Sequence, residues 1–223
     1  ISENITKTID KKDALAVAKK YLCSDTFEPE LKRIFRKNSV GVTKGIPVHY
    51  FIQSDNAHRL ADTLASSLYS NNRLGCARYT VLDLYNLSAR SSDIRELFRV
   101  CSGSTIIMNC CGLKCTNSDN CTADETIPDI LFDLINVYKN EIQFIFTFSN
   151  DGPSLPDAVE EKLGAITFVK LADDTVENED AHKYLRKLCR EENTSCDKDL
   201  LSLCAKDTPY RASELMGMYD TWY

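Results

Sequence analysis

The sequence predicts an α/β protein with a five-stranded, mostly parallel sheet sandwiched between helices, followed by a helical C-terminal unit. Three observations carry this expectation. Five short runs rich in Val, Ile and Phe recur along the chain, each separated by enough residues for a helix. The intervening segments carry apolar residues at helical spacing, and such alternation favours parallel strands covered on both faces. After Asp173 the alternation stops, and the remaining tail is acidic and helix-patterned. The expected organisation is an N-terminal helical segment over 1–45, an αβα core over 46–172 and a helical subdomain over 173–223. The lack of an initiator Met and the abrupt end at Trp222-Tyr223 lead us to expect a fragment of a longer polypeptide, with the last unit truncated.

In chain order, KKDALAVAKKYL (11–22) places apolar residues at 14, 15, 17, 18, 21 and 22, the stripe of an amphipathic helix. A second helix is expected over 28–37, with Pro29 in its first turn and basic residues at its end, where the helix dipole favours them. Gly41, Gly45 and Pro47 then punctuate a loop. The five strands are expected at 48–52 (VHYFI), 78–82 (RYTVL), 104–108 (STIIM), 142–148 (IQFIFTF) and 165–169 (AITFV). Helices fill the gaps at 57–69, 92–100, 127–138 and 155–163. The first has Leu60, Ala61, Leu64, Ala65 and Leu68 on one face, and the second opens at a capping serine. The tail reads as helices over 179–191, 197–205 and 211–219.

The charge balance, 27 Lys plus Arg against 33 Asp plus Glu, gives a net charge of −6. That argues against a generally basic nucleic-acid binder. No apolar run reaches the roughly 18 residues of a membrane span. The opening ISENITKTIDKKD has no apolar core of a signal peptide. Ten cysteines without a secretory segment read as thiols of a cytoplasmic protein rather than a disulfide framework. Cys110, Cys111, Cys115 and Cys121 cluster in CCGLKCTNSDNC and are the candidate metal ligands. Their spacing lacks the paired CxxC knuckles of structural zinc, so local packing is the expected role.

Several segments together resemble the AAA+ ATPase module, a P-loop NTPase-like fold. IQFIFTFSN resembles the fourth core strand running into the sensor-1 position, where Asn150 matches the family's polar residue. SLPDAVEEKLGAITFVKLAD is similar to the stretch that follows it. DKDLLSLCAKDTPYRASELMGMY resembles the helical lid, and YTVLDLYNL with IRELFRV resembles the second strand and its helix. The resemblance implies nucleotide chemistry at the first strand-to-helix connection, and there the sequence departs from the family. A phosphate loop needs glycines for close backbone approach, a Lys for charge and a hydroxyl for Mg²⁺. FIQSDNAHRLADTLA has no glycine, and alignment on Ala61 and Ala65 puts Ala57 at the Lys position and His58 at the hydroxyl. Asp55 would present negative charge to phosphate. Gln53, Ser54, Asp55, Asn56, Ala57, His58 and Asn150 are therefore expected to be a nucleotide-binding remnant. The third strand departs too. Where the family carries an acidic pair for Mg²⁺ and water, STIIM runs into Asn109, Cys110 and Cys111.

Three functions follow as expectations. The first is a catalytically degenerate AAA+-like module, without catalytic residues or cofactor. It would act as an interaction or scaffold domain beside another AAA+ domain, with no membrane or nucleic-acid partner. The GIPVHYFIQSD region is similar to the inactive first domain of tandem-AAA bacterial proteins. The second is an ATP- and Mg²⁺-binding ATPase with an unorthodox pocket of Asn56, Arg59 and Asn150. The third is a zinc- or redox-responsive domain through the cysteine cluster. Taken singly, Asn150 reads as a turn cap and His58 as an exposed helix-start residue. His49 is expected to face a helix or the sheet edge. Met216, Met218, Tyr219 and Trp222 divide between core packing and an adhesive surface.

Overall fold

The structure, a computed structural model, describes residues 1–21, 23–36, 46–71, 76–85, 87, 89–113, 127–150, 155–196, 201 and 209–222. Its centre is the run of β-branched and aromatic residues expected to form the sheet. Strands β2 (His49–Gln53), β3 (Arg78–Asp83), β4 (Thr105–Asn109), β5 (Gln143–Phe148) and β6 (Phe168–Ala172) lie parallel in the order β3-β4-β5-β2-β6. Side chains alternate across the sheet. Tyr50, Ile52, Val81, Ile107, Ile145 and Leu171 enter one apolar core, and Phe51, Leu82, Ile106, Met108, Phe144, Phe146, Phe148 and Phe168 enter the other.

A sixth strand, β1 (Ser2–Ile5), pairs antiparallel with β3 and forms the opposite edge from β6. The run SENI is polar and mostly exposed, so no apolar pattern marks it. Its conformation comes from the ladder, from the Glu3–Arg78 ion pair at 3.1 Å, and from Thr6, whose amide and hydroxyl both donate to the Ala77 carbonyl. Context overrides propensity at such an edge. The last parallel strand begins three residues later than the AITFV run suggests. Residues 163–166 make a turn closed by Ile166 N–H to Leu163 O at 2.7 Å, and Ile166 is buried before the strand starts.

Helices α1 (Lys11–Lys20), α2 (Phe27–Ile34) and α3 (Ala57–Ser70) cover the first face. Asp10 caps α1 by accepting from Asp13 N–H at 2.8 Å. Glu30 of α2 is buried and bound twice by the Arg33 guanidinium and once by the Tyr50 hydroxyl, at 2.6–2.7 Å. Burial and the Glu30 carboxylate together raise the Tyr50 phenol well above its ordinary pKa. Helices α4 (Ser91–Val100), α5 (Asp129–Tyr138) and α6 (Leu155–Lys162) cover the second face through Ile94, Phe98, Leu131, Ile135, Leu155 and Val159.

After β6 come a short strand β7 (Thr175–Val176), α7 (Asn178–Glu191), strand β8 (Tyr210–Arg211) and α8 (Ala212–Trp222), with β7 and β8 paired antiparallel. Most of the helix expected over 197–205 lies outside the described residues. Leu185, Leu188, Leu215, Met216 and Tyr219 belong to the same core as α1 and α3, with Met218 and Trp222 packed against it, so these residues serve packing. Among the described residues no helix is long and apolar enough to cross a membrane.

Candidate functional site

In an open parallel sheet, ligands bind where the carboxyl ends of the strands meet the following loops. Here that edge brings together Gln53 and the turn after it, Asp83, Asn109 to Cys111, Asn150 and Asp173. Strand β2 ends at Gln53 and α3 begins at Ala57, so only Ser54, Asp55 and Asn56 connect them. The eight-position phosphate-loop motif places several loop residues between strand and helix so that amides can converge on an anion. This turn instead directs its amides inward. Ser54 N–H donates to Phe148 O at 3.0 Å, Asn56 N–H to Ser54 Oγ at 3.0 Å, and Ala57 N–H to Ser54 O at 3.1 Å. Ser54 is fully buried, and Ala57 is 1% exposed.

Charge runs the same way. The Asp55 carboxylate stands at the start of α3 and accepts the Asn150 backbone N–H at 3.2 Å, an anion already at the positive end of the helix. Arg59 points away from the turn: its guanidinium donates to the Tyr21 hydroxyl at 2.7 Å and lies over that ring. His58 is exposed on the first turn of α3. Of Asn56, Arg59 and Asn150, Arg59 is held by the Tyr21 hydroxyl and the Asn150 backbone by the Asp55 carboxylate.

Asn150 is tied into the fold through contacts that sequence spacing does not reveal. Its side-chain amide donates to Asp173 Oδ2 at 2.8 Å, and its carbonyl accepts from Arg211 Nη1 at 3.3 Å. Asp173 and Arg211 are the residues the sequence reading missed. They lie 23 and 61 positions along the chain, and only the return of β8 beside β7 brings Arg211 here.

At the end of β4, the Asn109 side-chain oxygen accepts from Cys111 N–H at 3.1 Å and from the Thr147 hydroxyl at 3.2 Å. Cys110 is buried in the second core, and burial raises its thiol pKa well above the ordinary range. Cys111 is half-buried. Burial raises its pKa, and the negative charges of Asp55 and Asp83 add to the effect. Neither thiol is poised as a thiolate. Cys115 and Cys121 lie outside the described residues. Among the described residues no group of three or more His, Cys, Asp and Glu side chains is arranged to hold a metal ion.

His49 sits within β2 between the aromatic rings of Phe144 and Phe168. Nδ1 accepts the Phe144 N–H at 3.1 Å, which leaves Nε2 to donate to the Lys139 carbonyl at 3.0 Å. Both ring nitrogens are engaged in the neutral form, and burial lowers the pKa to about 4. This is a structural histidine.

No family model matches the chain, and no curated protein matches it. Solved structures do. The replication initiator DnaA bound to AMPPCP and single-stranded DNA is similar at TM-score 0.51 and 13% identity, covering 90% of this chain and 60% of that one. AMPPCP-bound DnaA from Aquifex aeolicus is similar at TM-score 0.44 and 14% identity, covering 87% and 59%. Rif2 in complex with the C-terminal domain of Rap1 is similar at TM-score 0.49 and 12% identity, covering 87% and 69%. The chain spans 60% of the first DnaA chain's length. At these identities the likeness concerns the fold, which is that of an AAA+-type P-loop NTPase: a mostly parallel α/β sheet with helices on both faces.

Proposed function

We propose that this chain is a catalytically degenerate AAA+-like module that serves as an interaction or scaffold domain of a larger ATPase. It would sit beside another AAA+ domain in the same or a neighbouring chain, and that neighbour would carry out hydrolysis. The AAA+ side of the reading is supported by the fold shared with DnaA. The degenerate side is carried by one observation, the three-residue connection Ser54-Asp55-Asn56, which turns its amides inward and sets a carboxylate at the start of α3. Phosphoryl transfer depends on fixed positive charge and oriented donors around the transferring group. Around this turn Arg59 is engaged with the Tyr21 hydroxyl and Arg211 with the Asn150 carbonyl, and the β4 end offers Asn109 and Cys110 in place of carboxylates.

Titration calorimetry of the purified chain with ATP and Mg²⁺ tests this. The expected result is no binding heat up to about millimolar nucleotide, the concentration at which binding is worth only about 4 kcal/mol. A micromolar dissociation constant would overturn the assignment.

A further inference from the structure

Where β6 leaves the sheet for the C-terminal helices, three successive residues are fastened to other parts of the molecule. Ala172 exchanges two hydrogen bonds with Thr26: the hydroxyl donates to Ala172 O at 3.0 Å and accepts from Ala172 N–H at 3.1 Å. Asp173 donates its N–H to the Gln53 carbonyl at 3.3 Å, accepts from the Asn150 side chain at 2.8 Å, and faces the Cys23 thiol at 3.5 Å. Asp174 accepts from the Ser24 N–H and hydroxyl, both at 2.8 Å, and from the Asp25 N–H at 3.0 Å. One carboxylate therefore holds the end of β5, and the other holds the turn between α1 and α2.

The helices beyond continue the attachment. The Tyr184 hydroxyl donates to the Lys20 carbonyl at 3.3 Å, and the Lys20 ammonium pairs with Glu192 at 2.8 Å. Ala181, Leu185, Leu188 and Leu215 share one apolar core with Ala14, Ala18 and Ile52. A hinge works when a few residues are free to absorb backbone rotation while the bodies on either side stay intact. Residues 172–174 have backbone or side-chain atoms committed to three different elements, so rotation there would break several charge-assisted hydrogen bonds together.

We propose that the Asp173–Asp174 pair is a clasp that fixes the root of α7, so that the sheet and the C-terminal helices move as one body. The inference concerns the chain without nucleotide and stands apart from whether the neighbouring turn binds one.

Residue-resolved amide hydrogen exchange on the nucleotide-free chain tests it, with Asp174→Asn as the variant, since an amide oxygen replaces only one of the two acceptor oxygens. In the native chain, α7 amides are expected to exchange only through the opening that also exposes β4 and β5. In D174N, the Ser24 and Asp25 amides lose protection, and α7 amides exchange at least tenfold faster relative to β4 and β5, while helix content by circular dichroism is kept. If α7 protection is unchanged in D174N while Ser24 and Asp25 lose theirs, the carboxylate only caps a turn and the clasp is refuted. Native α7 exchanging much faster than the strands would refute it equally. Should D174N fail to fold, Ser24→Ala combined with Thr26→Val removes the two hydroxyl contacts and leaves both carboxylates in place. The same tenfold loosening of α7 is expected there, and its absence counts against the clasp.

Discussion

Lowering the pH should unfasten His49 before it disturbs most of the fold. The imidazole is buried among Phe144 and Phe168, with Nδ1 accepting an amide proton and Nε2 donating to a carbonyl. A second ring proton would put a donor against the Phe144 N–H and a charge among aromatic rings, and burial holds the folded pKa at about 4 against 6.5 for the free side chain. Because the folded value is depressed, the unfolded chain binds the extra proton first. The neutral ring's contribution is fully present above pH 6.5 and is lost progressively as the pH falls towards 4. Each unit of difference corresponds to 1.36 kcal/mol, so the loss across that window approaches about 3 kcal/mol. Urea unfolding of the native chain and of His49→Gln at pH 7, 6, 5 and 4.5 measures it. The variant should be the less stable at pH 7, by about 1–3 kcal/mol for the disturbed buried hydrogen bonds. By pH 4.5 the difference should have moved by about 2.5 kcal/mol in the variant's favour, closing or reversing the deficit. Parallel stability curves for the two proteins would show that the ring is not held neutral, and the reasoning from its two hydrogen bonds would be wrong.

Other perturbations have equally definite outcomes. Phe146→Ala, at a site 1% exposed and in ring contact with Phe51 and Phe168, should cost about 3–5 kcal/mol by urea denaturation without changing the helix content. Glu30→Ala leaves the fully buried Tyr50 hydroxyl without its carboxylate acceptor and should cost about 2–3 kcal/mol by urea denaturation, and Arg33→Ala, which leaves the buried Glu30 carboxylate without its guanidinium, should cost at least as much. Asp10→Ala removes the α1 cap and should cost about 1 kcal/mol, seen as a lowered thermal midpoint. Thiol labelling under native conditions should modify Cys76 rapidly and leave Cys23, Cys101, Cys110 and Cys189 untouched until urea unfolds the chain.

The parallel sheet was legible because its strands are written in residues that only a two-sided core accepts. Phe51, Ile106, Phe144 and Ile145 leave no polar face, and the helices between them carry their apolar stripe at helical spacing. Strand β1 was invisible for the opposite reason: Ser2, Glu3 and Asn4 have no apolar signature and are extended because β3 offers an open edge. At the candidate site, sequence could show which residue types stand in the strand-to-helix connection, since motif positions are local. It could not show that Arg59 turns towards Tyr21, nor that Asn150 is gripped by Asp173 and Arg211, because these partners meet only through the folded topology. The thiols Cys110 and Cys111 are adjacent in sequence and face different cores, because the chain turns just after β4 ends at Asn109.

The brevity of the connection between β2 and α3 also limits how this module could change. Placing a lysine at position 57 would drive an ammonium into a site that is 1% exposed, and a glycine at 54, 55 or 56 would loosen the bend without lengthening it. Gaining a phosphate-wrapping loop would take inserted residues as well as new side chains, and those residues would have to prise the Asn150 amide from Asp55. Point substitution alone therefore leaves the connection at three residues, and a longer loop at this place requires a change in chain length.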